Sequence, residues 1–129
     1  MKKTSKEKQM LEEFVNKICA GKTFELKEEL VFHPTRKWRF DWAIISNADT
    51  KEIDGWDNDW EWCGKHLRLA IEYEGGVFTG GGHTRGVIYS GNAEKYNEAA
   101  LMGWTVLRFT APMVRAGSHI DQINRALGK

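Results

Sequence analysis

The 129-residue chain has little of what marks several common protein classes. Its two cysteines, Cys19 and Cys63, lie in unrelated surroundings. They are too few for a disulfide framework and typical of a reduced, cytoplasmic protein. No apolar run approaches the roughly 18 residues of a membrane-spanning helix. The basic opening residues are not followed by the apolar stretch of a signal peptide, so we expect neither secretion nor a membrane partner.

The chain also lacks an excess of charge of one sign. Nineteen basic and eighteen acidic residues give a net charge of +1. This balance excludes a general nucleic-acid coat protein, and any contact with nucleic acid must come from local patches. The histidines and cysteines show no zinc-ligand spacing, and there is no Gly-x-Ser-x-Gly elbow. The glycine-rich segment lacks the Gly-Lys-Ser/Thr ending of a phosphate-binding loop, so we expect no nucleotide cofactor.

Hydrophobic periodicity divides the chain into helices and strands. Apolar residues at helical spacing predict a helix over residues 7–20, ended by Gly21. Residues 92–102 predict a second helix, ended by Gly103, and Pro112 begins a final helix that reaches about Leu127. Alternating or β-branched stretches predict the strands, at residues 30–33, 37–45, 66–74 and 104–110.

The length indicates a single domain over residues 1–129. Residues 1–8 are expected to form a flexible basic tail, residues 49–65 an inserted acidic and tryptophan-rich loop or hairpin, and residues 75–91, with seven glycines, a long loop. The element order predicts an α/β protein (α+β, with a mixed sheet), in which an αβββαβ core is followed by a C-terminal helix.

Three carboxylates stand out because they occupy the centres of otherwise apolar strands. Strand alternation places Trp38, Phe40, Trp42 and Ile44 on one face and Asp41 on the other, and it places Glu72 and Glu74 together on one face of the next strand. If the two strands pair, these carboxylates converge and need a cation to stay ionised together. Oxygen ligands of this kind suit Mg²⁺, with Mn²⁺ as a substitute. The alternative is an ordinary solvated strand face.

The segments RKWRFDWAI, LAIEYEGG and EKYNEAALMGWTVLRFT resemble, in order and spacing, motifs of the PD-(D/E)xK nuclease superfamily. They are most similar to its small members, related to very-short-patch-repair endonucleases, phage nucleases and Holliday-junction resolvases. The resemblance covers about residues 30–110. It implies a restriction-endonuclease-like core and a Mg²⁺-dependent DNA endonuclease in which a metal-activated water attacks the phosphodiester. A phage-encoded protein of this kind would act in the cytoplasm of the host cell.

The resemblance also implies roles for individual residues. Asp41 matches the aspartate of the first motif strand, and Glu72, Tyr73 and Glu74 match the (D/E)-x-K triplet. Glu74 departs from the pattern, because most members carry lysine there. Lys95 on the following helix is then the candidate for the missing lysine, unless it is a surface residue paired with Glu94 or Glu98. In that second case Glu74 acts as a metal ligand or as a general base.

Further candidate residues flank the carboxylates. His83 is a candidate to assist catalysis, and Thr84 and Arg85 beside it are candidates to contact phosphate. Arg36, Lys37 and Arg39 are equally consistent with a DNA-binding patch and with ordinary surface charge. One site per chain implies a homodimer if both DNA strands are cut. Two other functions remain open: a non-catalytic DNA-binding module on the same fold, motivated by Glu74, and a hydrolase using a carboxylate pair.

Overall fold

The computed structural model describes residues 5–21, 24–46, 67–75 and 82–128, and only the backbone of residues 82–90. Helices and strands are mixed along the chain, which confirms the predicted α/β class. The elements are α1 (Lys6–Ile18), β1 (Phe24–Val31), β2 (Arg39–Ser46), β3 (Arg68–Tyr73), α2 (Gly82–Leu101), β4 (Thr105–Phe109), α3 (Ala111–Arg115) and α4 (Ser118–Ala126). The tryptophan-rich insert predicted over residues 49–65 lies outside the described residues.

The four strands form one mixed sheet in the order β1-β2-β3-β4. β1 and β2 are antiparallel, as are β2 and β3, whereas β3 and β4 are parallel. A parallel pair needs a crossover connection, and α2 lies within it. Gly103 ends α2 as predicted, with a φ of 86°. Its amide donates to the carbonyl of Ala100 at 3.1 Å, and the amide of Trp104 donates to the carbonyl of Ala99 at 3.0 Å. This is the hydrogen-bond pattern of a Schellman cap.

Each face of the sheet has its own apolar core. On one face α1, α3 and α4 pack against the strands, with the buried residues Leu11, Val15, Trp42, Ile44, Leu69, Ile71, Phe109, Val114 and Ile123. On the other face α2 contributes Ala99 to a smaller cluster with Phe32, Phe40, Ala43, Ile45, Ala70 and Trp104. Burial on both faces accounts for the almost continuous burial of the two central strands, β2 and β3.

The helix α1 begins earlier than the sequence suggested. The hydroxyl of Ser5 accepts a hydrogen bond from the amide of Lys8 at 3.1 Å, which is the N-cap arrangement that starts a helix. Glu7 forms an ion pair with Arg115 of α3 at 3.6 Å. The prediction of a flexible tail over residues 1–8 is therefore wrong for residues 6–8. They form the first turn of α1, which the N-cap Ser5 and the amphipathic pattern stabilise.

Two other elements are longer than predicted. β1 has eight residues, whereas only residues 30–33 were expected to be extended. The many charged residues of β1 obscure the alternating apolar pattern of a strand. They are tolerated because β1 is an edge strand that pairs on one side only. Residues 82–91 belong to α2, although residues 75–91 were predicted to be a loop. Each glycine weakens a helix by only about 1 kcal/mol, and no proline interrupts the segment, so the helix extends through it.

Two local conformations also differ from the prediction. The expected C-terminal helix is divided into α3 and α4 by Gly117, whose φ of 81° no continuous helix can include. The alternation of β2 changes near its start: Trp42 packs against one core, but Phe40 packs into the other. The neighbouring edge strand carries Glu29 in a left-handed conformation with φ of 49°. In β1 the same change occurs on either side of this residue, since Leu26 packs against one core and Leu30 against the other.

None of the helices in the described ranges is long and apolar enough to cross a lipid bilayer.

Candidate functional site

The strand β3 directs two carboxylates toward α2. Leu69 and Ile71 are buried in the core on the α1 side, and alternation sends Glu72 and Glu74 to the opposite face, as predicted. Glu72 is only 6% exposed, which is unusual for a glutamate. A buried carboxylate must be compensated by cations or hydrogen-bond donors, so its partners define the chemistry of this region.

Two successive residues of α2 compensate Glu72. The ammonium group of Lys95 contacts one carboxylate oxygen, and the phenol of Tyr96 donates a hydrogen bond to the other. The side chain of Lys95 is only 14% exposed, so water screens this ion pair weakly. Lys95 also lies 5.8 Å from the ring centroid of Phe40, the residue before Asp41. The lysine therefore sits between the strand that carries Glu72 and the strand that carries Asp41.

The hydroxyl of Tyr96 lies between two carboxylates. Besides Glu72 it approaches an oxygen of Glu74 at 3.4 Å. Burial, followed by the hydrogen bond to Glu72, raises the pKa of Tyr96 far above the ordinary value for tyrosine. Tyr96 therefore keeps its proton at all physiological pH values and acts as a permanent hydrogen-bond donor to Glu72.

Glu74 has a cation of its own. The guanidinium group of Arg108, on the neighbouring strand β4, donates from Nε to Glu74. The same guanidinium lies 4.3 Å from the ring centroid of Tyr96, stacked over the phenol. The hydrogen bond to Glu74 is the main cause that raises the pKa of Arg108. The five side chains Glu72, Glu74, Lys95, Tyr96 and Arg108, which we call the carboxylate cluster, thus balance two negative charges with two positive ones.

Asp41 is bound to the backbone beside this cluster. The register of β2 and β3 pairs Trp42 with Ile71, which puts Asp41 and Glu72 at the next positions along the two strands. The carboxylate of Asp41 accepts a hydrogen bond of 2.9 Å from the amide of Tyr73, the residue between Glu72 and Glu74. Asp41 also lines a depression of about 230 Å³ on the α1 side of the sheet.

The basic segment between β1 and β2 lies against α2 close to Lys95. Arg36 pairs with Glu94 at 3.4 Å and lies 4.2 Å from the ring centroid of Trp38. Arg39 approaches Glu29 at 3.9 Å on the exposed edge. His33 approaches Glu98 at 3.9 Å. Glu94 and Glu98, the two alternative partners considered for Lys95, thus face this segment, while Lys95 faces Glu72.

The structure therefore brings Glu72, Glu74 and Lys95 together on the α2 side of the sheet. Asp41 is joined to them through the amide of Tyr73, and its carboxylate borders the depression on the α1 side. Lys37 lies exposed between Arg36 and the start of β2. His83, Thr84 and Arg85 lie in the first turns of α2 rather than in a loop, and their side chains are outside the described part of the chain.

Two members of the cluster, Tyr96 and Arg108, were not among the predicted site residues. Arg108 lies within the GWTVLRF segment that carries the resemblance, but the sequence does not show that it meets Glu74. Tyr96 is adjacent to Lys95 and looks like a helix core residue. Only the packing of α2 on the sheet places its hydroxyl between two glutamates.

The donors of this region fit a divalent cation by their chemistry. Within the described ranges, no group of three or more histidine, cysteine, aspartate or glutamate side chains has the arrangement of a ready-made metal cage. Mg²⁺ does not need one, because it commonly takes one or two carboxylates and completes its shell with water and phosphate oxygens. Asp41 and Glu72 stand opposite each other in the register of β2 and β3, and Glu72 and Glu74 are each paired with a cation, Lys95 and Arg108.

Comparison with protein families, with curated proteins and with solved structures finds no match to this chain.

Proposed function

We propose that this protein is a metal-dependent DNA endonuclease with a restriction-endonuclease-like core. The observation that carries the proposal is the contact between Lys95 and Glu72. The triplet Glu72-Tyr73-Glu74 lacks the lysine of the PD-(D/E)xK motif, and α2 supplies a lysine that contacts Glu72 from another part of the chain. The order of elements, with a helix, three strands, a crossover helix and a fourth strand, supports the same proposal.

The chain's own residues would divide the work as follows. Asp41 and Glu72 would hold Mg²⁺ or Mn²⁺, which when bound supplies an activated water and stabilises charge on the phosphate. Lys95 would orient the attacking water or offset the negative charge that develops on the phosphodiester. Its burial beside Glu72 holds the ammonium in position before substrate arrives, so little reorganisation is needed.

Glu74 has a different part in this proposal. Glu72 and Glu74 are each paired with a cation, and Glu74 differs in that its partner, Arg108, is 44% exposed. The negative charge of Glu74 anchors Arg108 at the edge of the site. Since one chain carries one such site, cutting both strands of a duplex would take two copies of the protein.

A cleavage assay with isosteric variants tests the proposal. Supercoiled plasmid and a synthetic four-way junction are incubated with the protein in Mg²⁺, in Mn²⁺ and in EDTA. Asp41→Asn removes a charge but keeps an oxygen that accepts from the Tyr73 amide, and Glu72→Gln similarly preserves shape. Asp121→Asn, an exposed position on α4, is the matched control.

We expect metal-dependent cleavage by the wild type and by Asp121→Asn, and none above the EDTA background by Asp41→Asn or Glu72→Gln. Cleavage by Asp41→Asn at the wild-type rate would contradict the proposed metal ligands. The better-cut substrate would identify whether branched or plain duplex DNA is preferred.

A non-catalytic DNA-binding module is the second candidate function. Its supporting observation is that both oxygens of Glu72 already have partners in Lys95 and Tyr96, while Glu74 is paired with Arg108. A cluster neutralised in this way is also what a structural polar network looks like. This candidate predicts DNA binding without cleavage in any divalent cation, so the same assay separates the two.

A further inference from the structure

Arg108 has an unusual setting for a surface arginine. It contacts the buried cluster at one end, yet 44% of its side chain is exposed. Its Nε is directed to Glu74, and its plane lies over the ring of Tyr96 at 4.3 Å. Surface ion pairs alone contribute little to stability. Here an aromatic ring also fixes the plane of the guanidinium, as Trp38 does for Arg36, but only Arg108 of these two joins a buried carboxylate cluster.

The geometry leaves one edge of the guanidinium for another ligand. Glu74 takes the Nε position, and the two terminal nitrogens lie on the remaining edge of a planar, forked donor. Two parallel N–H groups match two oxygens of a phosphate, and this is why arginine is preferred where phosphates are bound bidentately. Glu74 and Tyr96 fix the orientation of the fork in advance, which lowers the entropy lost when a ligand binds.

The position of Arg108 relates this donor to the proposed active site. Arg108 stands opposite Glu72 in the register of β4 and β3. Of the two adjacent glutamates, Lys95 binds Glu72 and Arg108 binds Glu74. We propose that Arg108 is a substrate-binding residue that holds a backbone phosphate of DNA next to the phosphodiester at the Asp41–Glu72 site. This inference rests on the proposed function for its ligand, but it concerns binding and not the chemical step.

Binding without cleavage tests the inference. Fluorescence anisotropy of a labelled DNA duplex is measured in EDTA and again in Ca²⁺, over a series of KCl concentrations. The variants are Arg108→Gln and Arg108→Lys, with Arg125→Gln as the control, because Arg125 is an exposed, ion-paired arginine on α4. Thermal unfolding of each variant shows whether it is folded.

We expect Arg108→Gln to weaken binding about tenfold, the effect of losing hydrogen bonds to a charged group. We also expect it to reduce the slope of log affinity against log salt by about 1, the contribution of a single phosphate contact. Arg125→Gln should change neither quantity. Arg108→Lys keeps the charge but loses the fork, so it should weaken binding less than Arg108→Gln while leaving the salt slope close to the wild-type value.

Equal binding by Arg108→Gln and the wild type would overturn the inference, as would an equal loss in Arg125→Gln. If Arg108→Gln does not fold, wild-type affinity in Arg108→Lys overturns it instead. Failure of the endonuclease proposal looks different: the wild type binds DNA and loses affinity on Arg108→Gln, but cuts nothing in Mg²⁺ or Mn²⁺. No binding of DNA by the wild type in either buffer would overturn both.

Discussion

Replacing Lys95 by methionine is the most informative change for the stability of the site. Methionine keeps most of the volume of the side chain but leaves Glu72 buried without its cation. The two side chains are 14% and 8% exposed, so the unpaired carboxylate gains little from water. Breaking a buried pair by removing one partner costs about 3–5 kcal/mol. Because Tyr96 still donates to Glu72, we expect the lower end, about 3 kcal/mol.

Urea unfolding followed by tryptophan fluorescence at neutral pH measures this loss. A change of that size lowers the Tm of a chain of this length by roughly 10 °C. The exposed α1 variant Lys17→Met is the control and should stay within about 0.5 kcal/mol of the wild type. The double variant Lys95→Met/Glu72→Gln removes both charges, so it should be more stable than Lys95→Met alone.

A Lys95→Met protein as stable as the Lys17→Met control would refute a stabilising buried pair. So would a double variant in which the two losses simply add, since residues that interact directly are not additive.

Two further predictions concern groups with shifted pKa values. Tyr96→Phe should lower the free energy of unfolding by about 1–2 kcal/mol. Because the folded-state pKa of Tyr96 is raised, this difference should be largest below the unfolded-state pKa of about 10 and should fall as pH rises above it. Unfolding measured on both sides of that pH checks it, and a pH-independent difference would contradict it. Burial lowers the pKa of His119. The stability that neutral His119 contributes to the folded state is therefore complete above about pH 6.5 and is lost as pH falls toward the folded-state pKa. The stability of His119→Gln should therefore depend less on pH across this range, and a slope equal to that of the wild type would count against the assignment.

Local sequence patterns predicted much of the fold because they report what each segment buries. The apolar spacing around Leu11 and Val15 predicted α1, and the alternation of Leu69 and Ile71 with Glu72 predicted the two faces of β3. Gly103 predicted the end of α2, because its left-handed conformation suits glycine. These features depend on backbone preference and on neighbours a few residues away.

The errors arose where distant contacts outweigh local preference. The charged edge strand β1 has a weak local signal, yet pairing with β2 makes it extended over eight residues. The glycines of residues 82–91 suggested a loop, but the segment extends a helix that the sequence recognised only in its second half. Phe40 and Trp42, two residues apart on β2, pack into different cores, and no pattern within β2 itself could report that.

For the candidate site, the sequence by itself determined the carboxylates Asp41, Glu72 and Glu74 and named Lys95 as a possible lysine. It left the partner of Lys95 open, because helix neighbours and a distant strand are equally compatible with its spacing. Only the tertiary structure decided that partner, and only it joined Tyr96 and Arg108 to the cluster. The physical reason is that a buried charge must find its compensation in space, among residues 22 to 34 positions away in the chain.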